Sequence, residues 1–101
     1  ASAHPCLLLV DDEEDIRALL REIALAEGFE VTEASNGREA IDFLQRRHVG
    51  LMLLDLHMPE TNGFDVLRVA RTSRTSTQIA LMTGESSIDN AVEAIRLGAA
   101  E

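Results

Sequence analysis

The chain has 101 residues, 46% of them hydrophobic, and a formal net charge of −9, which leaves room for one domain with a real core (residues 1–101) and none for a second. That acidic balance excludes a generic nucleic-acid-binding face, which needs a basic stripe, and the single cysteine, Cys6, excludes an intrachain disulfide. The longest apolar run, Cys6–Val10, is far too short to span a bilayer, and the first residues carry no signal-peptide pattern, so a cytoplasmic protein with no membrane contact is expected.

Along the chain, two kinds of periodicity alternate. Cys6–Val10 is a continuous apolar run that stops at Asp11-Asp12, the pattern of a strand buried on both faces. Ile16, Leu19, Leu20, Ile23 and Ala24 then repeat at helical spacing, with Gly28 as the stop. Asp12, ahead of Glu13-Glu14-Asp15, suits the positive end of that helix. Phe29–Ala34 alternates as a second strand. Asn36-Gly37 marks a turn into a helix with Ala40, Ile41 and Leu44 inward.

Gly50 precedes Leu51–Leu54, a third apolar strand that again ends at a carboxylate, Asp55. Pro59 and Asn62-Gly63 make the following stretch a loop, after which a short helix presents Phe64, Leu67 and Ala70. Residues 72–77 form a polar connector. Ile79–Met82 is the fourth strand and ends at Thr83-Gly84. A last helix starts at Asp89, carries Val92 and Ile95, and stops at Gly98. This β-α-β-α-β-α-β-α order predicts an α/β fold: a doubly wound parallel sheet with helices on both faces.

Ligands of such sheets gather beyond the carboxyl ends of the strands. The first strand ends at Asp11-Asp12, the third at Asp55 and the fourth at Thr83, whereas the second ends in Glu33-Ala34-Ser35, which has no matching group. If the first, third and fourth strands are neighbours, three carboxylates and a hydroxyl share one pocket. Three crowded carboxylates repel one another, and without a cation one of them tends to keep its proton. A hard divalent ion resolves the conflict. Mg²⁺ takes oxygen ligands and is typically held by one or two carboxylates, waters and a phosphate oxygen.

Asp11-Asp12, Asp55-Leu56-His57-Met58-Pro59 through Gly63, and Thr83-Gly84 together resemble the CheY-like receiver domain of two-component response regulators. Thr83-Gly84-Glu85, Ala91-Val92 and Leu97-Gly98-Ala99 look most like receivers of NtrC-like transcription activators. The resemblance implies a flavodoxin-like sheet of order 2-1-3-4-5. It implies that Asp55 accepts a phosphoryl group from a histidine kinase and that the receiver switches an output domain, without being an enzyme with an external product. It also implies Mg²⁺ held by Asp12, Asp55, the backbone carbonyl of His57 and Asp11 (directly or through water), and Thr83 as a phosphoryl hydrogen-bond donor that moves inward on activation. The side chain of His57 is expected in solvent, His4 and His48 on the surface, Met52, Met58 and Met82 in packing, and Glu85 at the pocket rim.

Receivers of this kind carry a Lys-Pro pair at the end of a fifth strand. The chain ends at Glu101, before that strand, and all nine of its basic residues are arginines on helices or connectors. The expected sheet is therefore 2-1-3-4, with the fifth strand and helix missing. In the complete fold, helices one and five cover one face of the sheet and helices two, three and four the other. Loss of the fifth helix would then expose Leu53 or Leu54 and Leu81, and a homodimer or larger assembly through the uncovered face and edge is expected. Two other functions fit parts of the pattern. One is a receiver-like interaction module that is never phosphorylated. The other is an Asp-nucleophile phosphohydrolase, which often has a second Asp two residues after the nucleophile, where this chain has His57.

Overall fold

The computed structural model describes residues 5–58, 63–72, 76–83 and 87–100. Pro59, Asn62, Gly84, Glu85 and His4, singled out above, lie outside the described residues. Four strands, β1 (Cys6–Val10), β2 (Glu30–Ala34), β3 (Leu51–Asp55) and β4 (Gln78–Met82), alternate with four helices, α1 (Glu14–Ala26), α2 (Gly37–Arg46), α3 (Gly63–Thr72) and α4 (Ser87–Ala100). The strands form one parallel sheet in the order β2-β1-β3-β4, the expected flavodoxin-like arrangement.

The two inner strands are the two continuous apolar runs. Because side chains alternate across a strand, Leu8, Val10, Met52 and Leu54 face α2 and α3, while Leu7, Leu9, Leu51 and Leu53 face α1 and α4. All eight are buried. A strand with water on one side could not carry such runs.

The chain is turned between elements by local chemistry. At the end of α1, Gly28 adopts φ 95°, its N–H donates to Leu25 O, and the N–H of Phe29 donates to Ala24 O. This is a Schellman closure, in which the left-handed position favours glycine and the next residue packs back on the helix. Phe29 is that residue and is buried beside Ala24, so β2 starts one position later than the alternation suggested. At the start of α2, Asn36 accepts from Glu39 N at 2.9 Å. The Glu39 carboxylate in turn accepts from Ser35 N and Oγ at 2.8 and 2.9 Å, a reciprocal cap close to a capping box. These bonds hold the Glu39 carboxyl below its ordinary pKa.

Several orientations differ from the sequence expectation. Leu19 and Phe64 are exposed rather than inward. The buried stripes of α1 and α3 run instead through Leu20 and Ala24, and through Gly63, Val66 and Ala70. Gly63 sets the second stripe: a Cβ there would stand 2.9 Å from Leu56 Cα and 3.0 Å from Asp55 O, so the helix presses its glycine against the end of β3. Phe64, one residue on, is turned about 100° away.

The largest difference is α4. It lies on the α1 face, against α1, β3 and β4, and not beside α3. Ala91 and Ile95 are buried among Leu20, Ala24, Leu53 and Met82. The helix also runs through Gly98 instead of stopping there, because Gly98 is a contact residue: a Cβ would meet Leu51 Cδ2 and Phe29 Cζ, both at 3.3 Å. This placement corrects the expected exposure. Leu53 lies under α4 and Leu54 is enclosed with Met58 and Val66, so both are at 0% exposure, while Leu81 is 43% exposed, as expected, but on the α2 and α3 face that α4 was expected to cover and not on the face of a fifth helix.

Truncating Ile95 to Ala should therefore cost about 2–5 kcal/mol through the cavity it leaves. Leu97→Ala, at 63% exposure, should stay within about 0.5 kcal/mol. Urea unfolding of the two variants checks this, and equal losses would contradict the placement of α4.

Candidate metal and phosphoacceptor site

The parallel register builds the site. Val10 pairs with Leu54 and Asp55 with Met82, so the residues that end β1, β3 and β4 stand in a row along one edge of the sheet. Asp11 is 6% exposed and is held on three sides. Its N–H donates to Ala34 O at 3.1 Å, its Oδ1 accepts from Glu13 N at 2.8 Å, and its carbonyl accepts from Arg17 Nη1 at 2.7 Å. Asp12 is exposed. It does not cap α1: the N-cap residue is Glu13, which makes no side-chain cap bond.

Asp55 closes β3, half-buried, with Oδ1 accepting from His57 N at 2.9 Å in an Asx-type turn. The close approach of Gly63 to Asp55 O and Leu56 supports that turn from behind. Asp11, Asp12 and Asp55 each offer one carboxylate oxygen, and the three atoms lie within 4.8 Å of one another. Opposite ligands of an octahedral ion with bonds of about 2.1 Å lie about 4.2 Å apart, so small side-chain rotations would fit the trio to Mg²⁺.

The electrostatics point the same way. Burial pushes the Asp11 carboxyl up to about 6, and the charges of Asp55, Asp12 and Glu13 push in the same direction, against the bond from Glu13 N. A buried acid held that high is a site short of positive charge. The donor set is all oxygen, which suits a hard divalent cation.

Thr83 is the first residue after β4, exposed, on the strand beside Asp55. The His57 side chain is exposed, as is His48, whereas Met52, Met58 and Met82 are buried in the core. Glu33, at the tip of β2, stands outside the trio and pairs with Arg17 and Arg21. Arg17 is the residue that sequence reasoning passed over as an ordinary helix arginine. Side chains lean toward the N-terminus of their helix, so an arginine in the first turn after a strand tip reaches back to that tip. That is the signal that could have found it.

A profile of the response regulator receiver domain matches residues 7–101. The chain belongs to this family. The regulatory protein AtoC of Escherichia coli K12 is 39% identical over 93 residues, which is 92% of this chain and 20% of AtoC. The alginate biosynthesis transcriptional regulatory protein AlgB of Pseudomonas putida is 40% identical over 95 residues, 94% of this chain and 21% of AlgB. The receiver thus spans about a fifth of the length of these curated relatives. Among solved structures, the response regulator TrrA of Thermotoga maritima, in complex with Mg²⁺-BeF, superposes with a TM-score of 0.73 at 36% identity, covering 81% of this chain and 71% of that one. TrrA has also been solved in complex with the histidine kinase ThkA.

The raised Asp11 carboxyl gives a prediction for the metal-free receiver. A native pKa of about 6 against an unfolded value of 3.8 means the folded form binds the extra proton between those values. Stability from this group is present at low pH and is lost as pH rises through about 6. Asp11→Asn should therefore stabilise the metal-free protein at pH 7.5 by about 1–3 kcal/mol. The gain should shrink below pH 5 and be offset by weaker Mg²⁺ binding. Urea unfolding in EDTA at the two pH values checks the sign; a destabilised Asn variant at pH 7.5 would contradict it.

Proposed function

We propose that this receiver accepts a phosphoryl group on Asp55 from a histidine kinase and relays the change to an output domain, in an NtrC-like regulator of transcription acting in the cytoplasm. The observation that carries the reading is the convergence of Asp11, Asp12 and Asp55 within 4.8 Å at the carboxyl edge of the sheet. Asp12 and Asp55, with Asp11 and the carbonyl of His57, would hold Mg²⁺. The ion supplies the positive charge that lets an anionic phosphoryl group approach a carboxylate.

The residues divide the remaining work. Asp55 Oδ1 is engaged by His57 N, which leaves Oδ2 as the attacking atom. Oδ2 forms the new bond to phosphorus as the bond from phosphorus to the kinase histidine nitrogen breaks, giving an acyl phosphate on Asp55. The Thr83 hydroxyl donates to a phosphoryl oxygen from the neighbouring strand. This is positioning and charge neutralisation for a reaction on the receiver itself, not turnover of an external substrate. The complex of TrrA with ThkA supports the choice of kinase partner, and its Mg²⁺-BeF complex supports the choice of metal. The naming of AlgB as a transcriptional regulator supports the output.

Phosphorylation of Asp55 is tested with a small acyl phosphate or a kinase and mass mapping of the label. Asp55→Asn should abolish the label, since an amide oxygen is a poor nucleophile; a surviving label would mean another acceptor. The 101 residues contain no lysine, so in this chain alone Mg²⁺ and Thr83 meet the phosphoryl charge and labelling should be slow.

Association follows from β4. Among the described residues it pairs with β3 alone, and Leu81 is 43% exposed beside that edge. Unpaired edges and exposed apolar side chains favour self-association. The 101-residue chain should sediment as a dimer or larger, and Leu81→Lys should shift it toward monomer. A wild-type chain that stays monomeric at high micromolar concentration would overturn this part of the reading.

A further inference from the structure

The geometry points to Arg17 as a positioning residue that braces the acidic pair from behind and so sets the receiver's affinity for its divalent cation. The inference rests on the metal reading above and assigns a role to a side chain outside the ligand set. Arg17 is anchored in the first turn of α1, where its N–H donates to Glu13 O at 3.1 Å. Its guanidinium is a two-armed strut. Nη1 donates to the carbonyl of Asp11 at 2.7 Å, and Nε donates to Glu33 Oε1 at 3.2 Å. The side chain is 14% exposed, against 48% for Arg21, which reaches the other Glu33 oxygen at 3.7 Å. A planar fork with fixed donor directions can tie two acceptors at once. Here it ties the end of β1 to the end of β2 through α1.

The Asp11 carbonyl sits at the joint where the chain leaves the sheet for the helix. On its amino side, Asp11 N is fixed to Ala34 O, and on its side chain, Oδ1 is fixed to Glu13 N. Arg17 fixes the third direction. Without it, the carbonyl of the peptide between Asp11 and Asp12 loses its partner and that peptide loses one of its restraints, and both carboxylates ride on that peptide. Groups of this kind behind metal ligands are worth substantial affinity, typically 10–100-fold.

Charge and positioning make opposite predictions, which makes the inference testable. Removing a cation near an acidic cluster should tighten binding of another cation. Removing a brace should loosen it. Mg²⁺ titration of the metal-free protein, followed by amide shifts of residues 11–13 and 55–58, gives the affinity without reference to phosphorylation.

Arg17→Met should weaken Mg²⁺ binding roughly 10-fold, despite the lost positive charge, and in the metal-free state should speed hydrogen exchange at Glu13 N–H. Glu33→Gln keeps Arg17 and the fold but slackens one arm, and should weaken binding by a smaller factor. Arg21→Gln should leave the affinity unchanged. Urea unfolding of each variant separates loss of affinity from loss of fold. If Arg17→Met does not fold, Arg17→Lys, which keeps the charge but lacks the planar fork that ties two acceptors, decides alone and should also bind Mg²⁺ more weakly. Unchanged or tighter Mg²⁺ binding in the deciding variant overturns the inference. A wild-type receiver that does not respond to Mg²⁺ overturns the metal reading and this inference with it.

Discussion

Everything at the carboxyl edge of this receiver follows from one constraint: the parallel register of β1 and β3 sets Asp11 beside Asp55, with Asp12 next in the chain. Like charges so placed are costly, and burial of Asp11 adds to the cost. The fold tolerates the arrangement because Asp11 is hydrogen-bonded through its N–H, its carboxylate and its carbonyl. Each of these bonds meets a polar group that burial would otherwise leave unsatisfied. None of them removes the negative charge. The site is structurally satisfied and electrostatically unsatisfied, which is the condition under which a carboxylate cluster selects a cation.

Rigidity behind the site comes from the two apolar strands. Their side chains are buried on both faces, and a one-residue slide would draw Asp11 or Asp55 in among apolar neighbours, at the cost of burying a charge. Gly63 adds a second restraint, since it brings α3 into close approach with Asp55 O and Leu56 at the end of β3. Thr83 stands on different ground. β4 is an outer strand among the described residues, with Gln78 and Leu81 exposed and Met82 its only buried member. Elements with few buried apolar contacts open most readily. Asp55 is thus fixed firmly, while Thr83 follows the less constrained strand.

Much of this was legible in the residues themselves. Cys6–Val10 and Leu51–Leu54 admit little but buried strands, and each stops at an aspartate; the strand order that brings Asp11, Asp12 and Asp55 together comes from the receiver resemblance, not from the runs themselves. The placement of α4 could not. Its apolar and small residues, among them Ala91, Ala94, Ile95, Gly98 and Ala99, can pack on either face of a sheet that is apolar on both, and periodicity states that a helix has a buried stripe without stating against what. Gly98 shows the same ambiguity at one residue: a glycine late in a helix reads as a stop until the neighbouring Phe29 and Leu51 are seen to need the space. Phe64 and Leu19 were misplaced because an apolar residue fits a helical stripe by spacing alone, and only the tertiary contact of Gly63 or Leu20 fixes the rotation.

Arg17 was hidden for a related reason. Its partners are a backbone carbonyl, which has no sequence identity, and Glu33, sixteen residues away on another strand. Charge counts treat it as surface. The cap expected at Asp12 is absent. Glu13 makes no side-chain cap bond to α1, and the Asp11 carboxylate accepts instead from Glu13 N. The helix start is organised around Asp11, from the front by its own carboxylate and from behind by Arg17. Asp12 is thereby left with no part in capping and keeps its carboxylate for the cluster. A cation bound there would favour the folded form over the unfolded one by mass action, since only the folded chain brings Asp55 to the pair. The stability of this receiver and the occupancy of its acidic edge are therefore two readings of the same local geometry.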